Sequence, residues 1–248
     1  MKQKIKQLLC LLLACQLFTG TAWARPDWPA DTGIQAEAGI VMDADSGAIL
    51  FGQNIHVPYP PASITKILTA LIVLEHAQPD EMVTFTETAC NSVESDSGNK
   101  LGVVPGDTLT VEDCLYGLLL VSANQAANAL AEHVAGSIPA FVDMMNDKLA
   151  ELGCTESHFD NPSGLNGDTQ YVTAYDMALI AQAAYQNETL LEISSVKNHK
   201  LAPTINYPGG LTVNQEHRLL KEGDDFYYSP AKAGKTGYLQ AAGNTLVT

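Results

Sequence analysis

The chain has 248 residues, long enough for one large domain or two small ones, and it is 46% hydrophobic and 17% charged. This composition is ordinary for a folded globular protein and disfavours intrinsic disorder. The formal net charge is −15 at pH 7. A surface of that sign repels nucleic acid and offers no basic patch to anionic lipid, so neither is expected as a partner.

Residues 1–24 have the three parts of a secretory signal peptide. A start with three lysines is followed by an apolar core from Leu8 to Phe18 and by a small-x-small cleavage site, Ala22-Trp23-Ala24. The core is shorter than the roughly 20 residues that span a bilayer, which disfavours a retained anchor. A lipoprotein signal at Cys15 ranks below cleavage after Ala24. We therefore predict an exported protein.

Beyond the signal, strands are predicted at both ends of the chain and helices between them. In chain order, the first predicted element is a hairpin of strands 39–42 and 48–51, and the second is a helix that starts at Ser63. Four more helices follow, at 111–121, 125–134, 138–152 and 173–185, and the last elements are strands 235–238 and 245–247. This order predicts an α+β fold whose antiparallel sheet is built from both termini around a helical middle.

The segment Ser63-Ile64-Thr65-Lys66 places a hydroxyl and an amine one helical turn apart. Prolines precede it, and apolar residues then recur with the spacing of a buried helix face, so Ser63 is predicted at a helix N-terminus. Free backbone N–H groups and the helix dipole favour an oxyanion there. Together these features suit serine acyl transfer.

Two further clusters fit the same chemistry. Ser122-Ala123-Asn124 lies in the break between two predicted helices, and Lys235-Thr236-Gly237 offers a cation beside a strand edge. Each cluster alone is weak evidence for catalysis. Ser63 can be merely a helix cap, Ser122-Ala123-Asn124 a helix break, and Lys235 a surface residue. Ser-x-x-Lys also recurs at Ser97 and Lys100, in a stretch that we interpret as a solvated loop. The order and settings of the three clusters favour the enzyme.

Cysteine and histidine patterns disfavour other classes of site. After the signal, three cysteines remain, Cys90, Cys114 and Cys154, an odd number without a C-x-x-C pair, so neither a disulfide framework nor a zinc knuckle is predicted. The absence of H-E-x-x-H and G-x-S-x-G disfavours a metalloprotease and an ordinary Ser-His-Asp hydrolase. We expect no metal and no cofactor.

With their flanks, the three clusters resemble the motifs of the D-alanyl-D-alanine carboxypeptidases, the low-molecular-mass penicillin-binding proteins. The segments that carry the resemblance are 61–66 (PASITK), 118–124 (LLLVSAN) and 234–238 (GKTGY), and residues 41–47, 135–142 and 158–165 are similar to other parts of that family. The resemblance covers essentially residues 36–248 and implies a β-lactamase/transpeptidase-like fold.

The resemblance also implies catalytic roles. Ser63 is the nucleophile, and Lys66 is the base that takes its proton. Ser122 passes a proton to the leaving amine, and Asn124 holds the substrate amide and orients Lys66. A free lysine has a pKa of ~10.4, so Lys66 needs burial and a second cation, Lys235, to be neutral.

The implied substrate-binding residues lie on the predicted strand of the third cluster. They are Lys235, Thr236, Gly237 and Tyr238. Lys235 with Thr236 binds a terminal carboxylate, and the backbone N–H groups of Ser63 and Tyr238 form the oxyanion hole.

The activity implied is removal of the terminal D-alanine from peptidoglycan stem pentapeptides through a Ser63 acyl-enzyme. The implied partners are stem peptides ending in D-Ala-D-Ala, with β-lactams as covalent inhibitors, at the outer face of the cytoplasmic membrane, in the periplasm or in the cell wall. Two alternatives stay open: a β-lactamase, for which Glu156 is the candidate carboxylate, and a non-catalytic β-lactam-sensing or wall-binding domain.

The sequence departs from the family at three places. Gln125 follows Asn124 where Asp is more common, Leu239-Gln240 stands where a Thr commonly follows the aromatic position, and the chain stops at Thr248. The family's last strand, closing helix, C-terminal domain and membrane-binding tail have no counterpart. We therefore expect residues 25–248 to be a domain truncated at its C-terminal end, with membrane association only through a part that this chain lacks.

Overall fold

The computed structural model describes residues 33–92, 100–165 and 167–248. The predicted signal peptide and Ser97 lie outside the described residues. Residues 37–248 form one compact unit. Its described strands are β1 (Gly39–Met42), β2 (Ile49–Gln53), β3 (Met82–Thr84), β4 (Thr108–Thr110), β5 (Asn198–Lys200), β6 (Thr212–Asn214), β7 (Lys235–Leu239) and β8 (Gly243–Val247). Its described α-helices are α1 (Lys66–His76), α2 (Glu87–Asn91), α3 (Val111–Leu120), α4 (Asn124–Ala135), α5 (Ile138–Glu151), α6 (Ala174–Tyr185) and α7 (Glu188–Ser195).

Helix α1 lies at the centre of the core. Residues 66–73 are all buried, and the helix packs against α3, α4, α5, α6 and α7. A helix that is apolar almost all round is stable only inside a protein, and burial of each large aliphatic side chain contributes roughly 1.5–3 kcal/mol. Packing therefore fixes the N-terminal end of α1, which carries Lys66.

Threonine caps begin two of the predicted helices. The Thr110 hydroxyl accepts a hydrogen bond from the Asp113 N–H at 3.0 Å and starts α3. The Thr173 hydroxyl accepts from the Asp176 N–H at 3.1 Å and starts α6. Caps of this kind stabilise a helix by about 1 kcal/mol. The predicted bounds of α3, α4, α5 and α6 each agree with the structure to one residue.

The predicted α+β class is confirmed, and both terminal hairpins are present. β1 pairs antiparallel with β2, and β7 pairs antiparallel with β8. The described strands form separate two-stranded sheets, so the single sheet predicted from the two termini is not continuous. β1 lies against α6, whereas β7 and β8 lie against the turn at residues 62–65.

Candidate active site

Ser63, the predicted nucleophile, lies in a 3-10 turn, Ala62–Thr65, that runs directly into α1. Ala62 has a φ of 53°, a left-handed conformation that costs an L-residue roughly 1–2 kcal/mol. The Thr65 hydroxyl donates to the Ala62 carbonyl oxygen at 2.9 Å and closes the turn. The sequence predicted that the helix starts at Ser63; the first turn is 3-10, as is common at helix N-termini, and α1 begins at Lys66.

Lys66 is completely buried, and its partners are two oxygens. Its Nζ lies 2.9 Å from Ser63 Oγ, and it donates to the Ser163 carbonyl oxygen at 2.5 Å. Burial lowers the pKa of Lys66 well below its usual value, and the nearby charge of Lys235 lowers it further. Both effects favour the neutral amine beside the serine hydroxyl.

A tight loop supplies the carbonyl that positions Lys66. Asn161 Oδ1 accepts hydrogen bonds from the backbone N–H of Ser163 at 3.2 Å, the Ser163 hydroxyl at 3.0 Å and the N–H of Gly164 at 2.8 Å. Its Nδ2 donates to the Leu165 carbonyl oxygen at 2.8 Å. Sequence reasoning missed Ser163 because its backbone carbonyl acts here, although the Asn-Pro-Ser-Gly turn was the available signal.

Ser122 and Asn124 lie where α3 ends and α4 begins. Ser122 has a φ of 63°, the left-handed region that costs a non-glycine residue about 1–3 kcal/mol and that clusters at functional sites. Among the described residues, neither Ser122 Oγ nor Asn124 Oδ1 has a hydrogen-bond partner, although both atoms are buried. Buried polar atoms are normally paired, so both have capacity for a ligand.

Strand β7 brings the third cluster against the nucleophile. A Cβ on Gly237 would stand 2.8 Å from Ser63 N and 3.1 Å from the Ala62 Cβ, so this approach needs glycine. Thr236 is half-buried, and the Tyr238 side chain is 67% exposed at the outer side. The backbone of β7 therefore passes directly beside the Ser63 N–H.

Lys235 is 2% exposed, which rules out the surface-residue interpretation. Its Nζ donates to the Thr236 carbonyl oxygen at 2.6 Å, and burial lowers the pKa of Lys235 to about 7. Two buried lysines with lowered pKa values thus belong to one site, where the charge of Lys235 acts on Lys66. Clusters of this kind are typical of functional sites.

The structure brings Ser63, Lys66, Ser163 and Gly237 into direct proximity. Lys235 joins them through its charge on Lys66. Ser122 and Asn124 stand at the start of α4, which packs against α1. All the motif residues therefore belong to elements that meet around the N-terminal end of α1 or pack on that helix.

Glu156, the carboxylate of the β-lactamase alternative, has a different partner. Its Oε2 lies 2.6 Å from His56 Nδ1 in an exposed pair, and its backbone N–H donates to Asp176 Oδ2. The described contacts of Glu156 include none with the three clusters. Within the described ranges, no group of three His, Cys, Asp or Glu side chains could hold a metal ion.

An ion pair that the sequence did not single out also acts on the site. Lys100 Nζ donates to both carboxylate oxygens of Glu216, and both residues affect the pKa values of Lys66 and Lys235. Lys100 is exposed, as its solvated setting predicted, but its proximity to the two buried lysines was missed. The partners are 116 positions apart, so no local pattern could reveal the pair.

Comparisons with known proteins agree with the motifs. D-alanyl-D-alanine carboxypeptidase DacB2 of Mycobacterium tuberculosis is 38% identical over 232 residues, which are 90% of this chain and 70% of the relative. DacF of Bacillus subtilis, described by the same activity, is 30% identical over 240 residues, 94% of this chain and 60% of the relative. The chain thus spans between three fifths and seven tenths of the length of these relatives.

Solved structures agree with the predicted fold. The crystal structure of a D-alanyl-D-alanine carboxypeptidase from Mycobacterium tuberculosis superimposes with a TM-score of 0.77 at 37% identity, covering 90% of this chain and 78% of that one. A mutant of a Streptomyces DD-transpeptidase gives a TM-score of 0.77 at 28% identity, covering 86% and 85%. The penicillin-binding, β-lactamase-like fold is therefore confirmed.

The family itself is identified by a match that extends over nearly all of the chain. Residues 25–248 match the family described as D-alanyl-D-alanine carboxypeptidase. The two curated relatives above are 38% and 30% identical to the chain over 90% and 94% of its length. The chain therefore belongs to the D-alanyl-D-alanine carboxypeptidase family, as its three clusters predicted.

Proposed function

We propose that this chain is a serine-type D-Ala-D-Ala carboxypeptidase that removes the terminal D-alanine of peptidoglycan stem pentapeptides through a Ser63 acyl-enzyme. The observation that carries the proposal is the 2.9 Å separation between Ser63 Oγ and the fully buried Nζ of Lys66. An amine without a carboxylate partner is the base that a serine hydroxyl needs at neutral pH. Membership of the family supports the same activity.

Acylation begins when Lys66 accepts the Ser63 proton and Ser63 Oγ attacks the carbonyl carbon of the penultimate D-alanine. The Ser163 carbonyl oxygen keeps Nζ directed at the hydroxyl. The backbone N–H groups of Ser63 and Tyr238 stabilise the negative charge that develops on the carbonyl oxygen. Donors at the start of a helix and on a strand edge can both provide such stabilisation. Gly237 supports this role because it lets β7 lie against Ser63.

The leaving amine then needs a proton. Ser122 passes it, and the left-handed backbone of Ser122 supports this role because it holds a hydroxyl that has no partner among the described residues. The side-chain amide of Asn124 holds the substrate's peptide group, for which the unpaired Oδ1 is a suitable acceptor. Loss of D-alanine leaves the acyl-enzyme, which water then hydrolyses.

The free carboxylate of the terminal D-alanine binds Lys235 and Thr236. Charge-assisted hydrogen bonds contribute about 1.5–3 kcal/mol each, so this contact selects peptides with a free terminus. β-Lactams also carry a carboxylate next to a reactive carbonyl, which makes them covalent inhibitors of the same site.

The same proposal places the enzyme outside the cytoplasm, where its wall substrate is found. In this proposal, residues 1–24 are its signal peptide and residues 25–248 belong to the carboxypeptidase domain. Within the part of the chain that the structure describes, no helix has the length and apolarity that a bilayer span requires.

D-Alanine release tests the activity directly. The protein is incubated with an N-acylated peptide ending in D-Ala-D-Ala and, as a control, with the same peptide as its C-terminal amide. Steady release from the free acid, absent in Ser63→Ala, supports the proposal. Steady penicillin hydrolysis without D-alanine release identifies a β-lactamase instead, and a single labelling event without turnover on either substrate identifies a sensing domain.

A further inference from the structure

The ion pair between Lys100 and Glu216 is held at the end of α3 that leads into Ser122. Lys100 Nζ donates to Glu216 Oε1 at 2.8 Å and to Oε2 at 2.9 Å. The Glu216 backbone N–H donates to the Leu120 carbonyl oxygen at 3.0 Å, which attaches its segment to the last residue of α3. The side chain of Leu101, next to Lys100, is fully buried against Gly117 of the same helix.

Both partners are therefore fixed by backbone or core contacts, although their charged ends are open to solvent. The Lys100 and Glu216 side chains are 39% and 44% exposed. Exposed ion pairs contribute little to stability, typically 0–1 kcal/mol. A bidentate pair in this position suggests a role other than stabilising the fold.

The segment that carries Glu216 lies against the strand pair that holds Lys235. Nε2 of His217, the next residue, lies 3.3 Å from the Val247 carbonyl oxygen, and Val247 is the β8 partner of Lys235 in the β7–β8 ladder. The Glu216 backbone is therefore held beside the strand of the proposed carboxylate subsite.

Four charged or titratable groups are described around Lys235, and two of them act on its charge. Glu216 favours the charged form, and Lys100 opposes it. The other two are Lys66 and His217, and both interact with the Lys235 charge. Burial lowers the pKa of His217 and of Lys66, which favours the neutral form of both. Glu216 is therefore the anion of this set.

The proposed carboxylate subsite needs Lys235 as a cation, but burial favours the neutral amine and lowers the pKa of Lys235 to about 7. An anion beside the subsite offsets part of that effect. An unpaired anion there would, however, also repel the substrate's carboxylate. The bidentate contact with Lys100 reduces that repulsion, because it directs both Glu216 oxygens to a cation.

We propose that Glu216 is a positioning residue of the carboxylate subsite, which holds Lys235 as a cation, and that Lys100 clamps Glu216 so that its charge does not repel the substrate. The inference rests on the proposed function, because it assigns the electrostatic support of the substrate anchor. Neither residue needs to touch the reacting atoms.

The test measures the titration of Lys235 itself. Lysine labelled with ¹³C at Cε is incorporated into the protein, and the Lys235 signal is assigned by its loss in Lys235→Arg. Titrations are recorded for the wild type, Glu216→Gln and Lys100→Met. Glu222→Gln is the matched control, because Glu222 is also paired with a lysine, Lys197 at 2.9 Å, at an exposed site.

We expect the Lys235 titration to move to lower pH in Glu216→Gln, to higher pH in Lys100→Met, and to stay unchanged in Glu222→Gln. A merely structural ion pair would move both variants in the same direction or not at all, and either result would overturn the inference. D-Alanine release is measured on the same wild-type sample. Opposite shifts in a protein that releases no D-alanine would support the electrostatic assignment and refute the proposed function.

A kinetic readout follows from the same variants. In Glu216→Gln, the KM for the free-acid peptide should begin to rise at lower pH than in the wild type, with little change for the peptide amide. In Lys100→Met, the KM for the free acid should be higher throughout, because an unpaired Glu216 faces the carboxylate. Equal KM changes for the acid and the amide would contradict the role of the pair.

Discussion

Gly237→Ala should slow acylation without unfolding the protein. The added Cβ would stand 2.8 Å from Ser63 N and 3.1 Å from the Ala62 Cβ, and it would also meet the Thr245 hydroxyl. Ordinary contact begins near 3.4 Å, so β7 must move away from the nucleophile by about 0.6 Å. Overpacking of this size costs roughly 1–3 kcal/mol of stability. Because the movement separates two proposed oxyanion donors, we expect acylation to slow by roughly 10²–10³-fold, the effect of losing one donor.

The assay compares the rate of acylation by benzylpenicillin and the thermal midpoint in the two proteins. Gly209→Ala is the matched control, because its Cβ would meet no atom within 4 Å and its φ is not positive. We expect this control to be acylated at the wild-type rate. If Gly237→Ala is acylated as fast as the wild type, β7 does not form the wall beside Ser63, and the reasoning about the oxyanion hole is wrong.

Three further predictions follow from individual contacts. Ser122→Gly and Ser122→Ala should both release D-alanine far more slowly than the wild type. The glycine variant should unfold at a higher temperature than the alanine variant, because glycine adopts the φ of 63° without strain. Equal thermal midpoints of the two variants would argue against backbone strain at residue 122. Asn161→Ala should lose about 2–4 kcal/mol of unfolding free energy and most of its acylation rate, because four hydrogen bonds of Asn161 shape the loop behind Lys66. The control Asn206→Ala removes one exposed hydrogen bond to Gly102 and should lose under about 1 kcal/mol. Similar losses in the two variants would show that the loop does not position the base. Stability should also rise with pH above 7. Folded Lys235 loses its proton near pH 7, whereas the unfolded chain keeps it up to about pH 10.4, so the unfolded state binds more protons in between. Denaturant titrations of Lys235→Met should show a smaller rise of stability with pH, and an unchanged slope would mean that burial does not lower the pKa of Lys235.

Local sequence patterns predicted the long helices and the terminal hairpins well. The apolar periodicity of α1 and the break at residues 122–124 between α3 and α4 are local signals, and the structure places these elements where the signals lie. Strands of three residues, such as β3 with β4 and β5 with β6, carry too few alternations to predict. Their pairing depends on partners far along the chain.

The candidate site also contains features that local sequence predicts and features that it does not. Side chains in short motifs, such as Ser63 with Lys66, could be proposed from spacing alone. The Ser163 carbonyl, the backbone of Ser122 and the Lys100–Glu216 pair could not, because they depend on backbone conformation or on contacts between distant segments. The sheet from both termini was predicted from strand order, which does not say whether two hairpins share a ladder.

The central claim is that Ser63 is the nucleophile of this protein. Mass spectrometry of the protein after incubation with benzylpenicillin measures it most directly, with tryptic peptides to locate the adduct. We expect one covalent adduct, on the peptide that contains Ser63, and none in Ser63→Ala. An adduct on Ser122 or Ser97, or an adduct that persists in Ser63→Ala, would show that Ser63 is not the nucleophile.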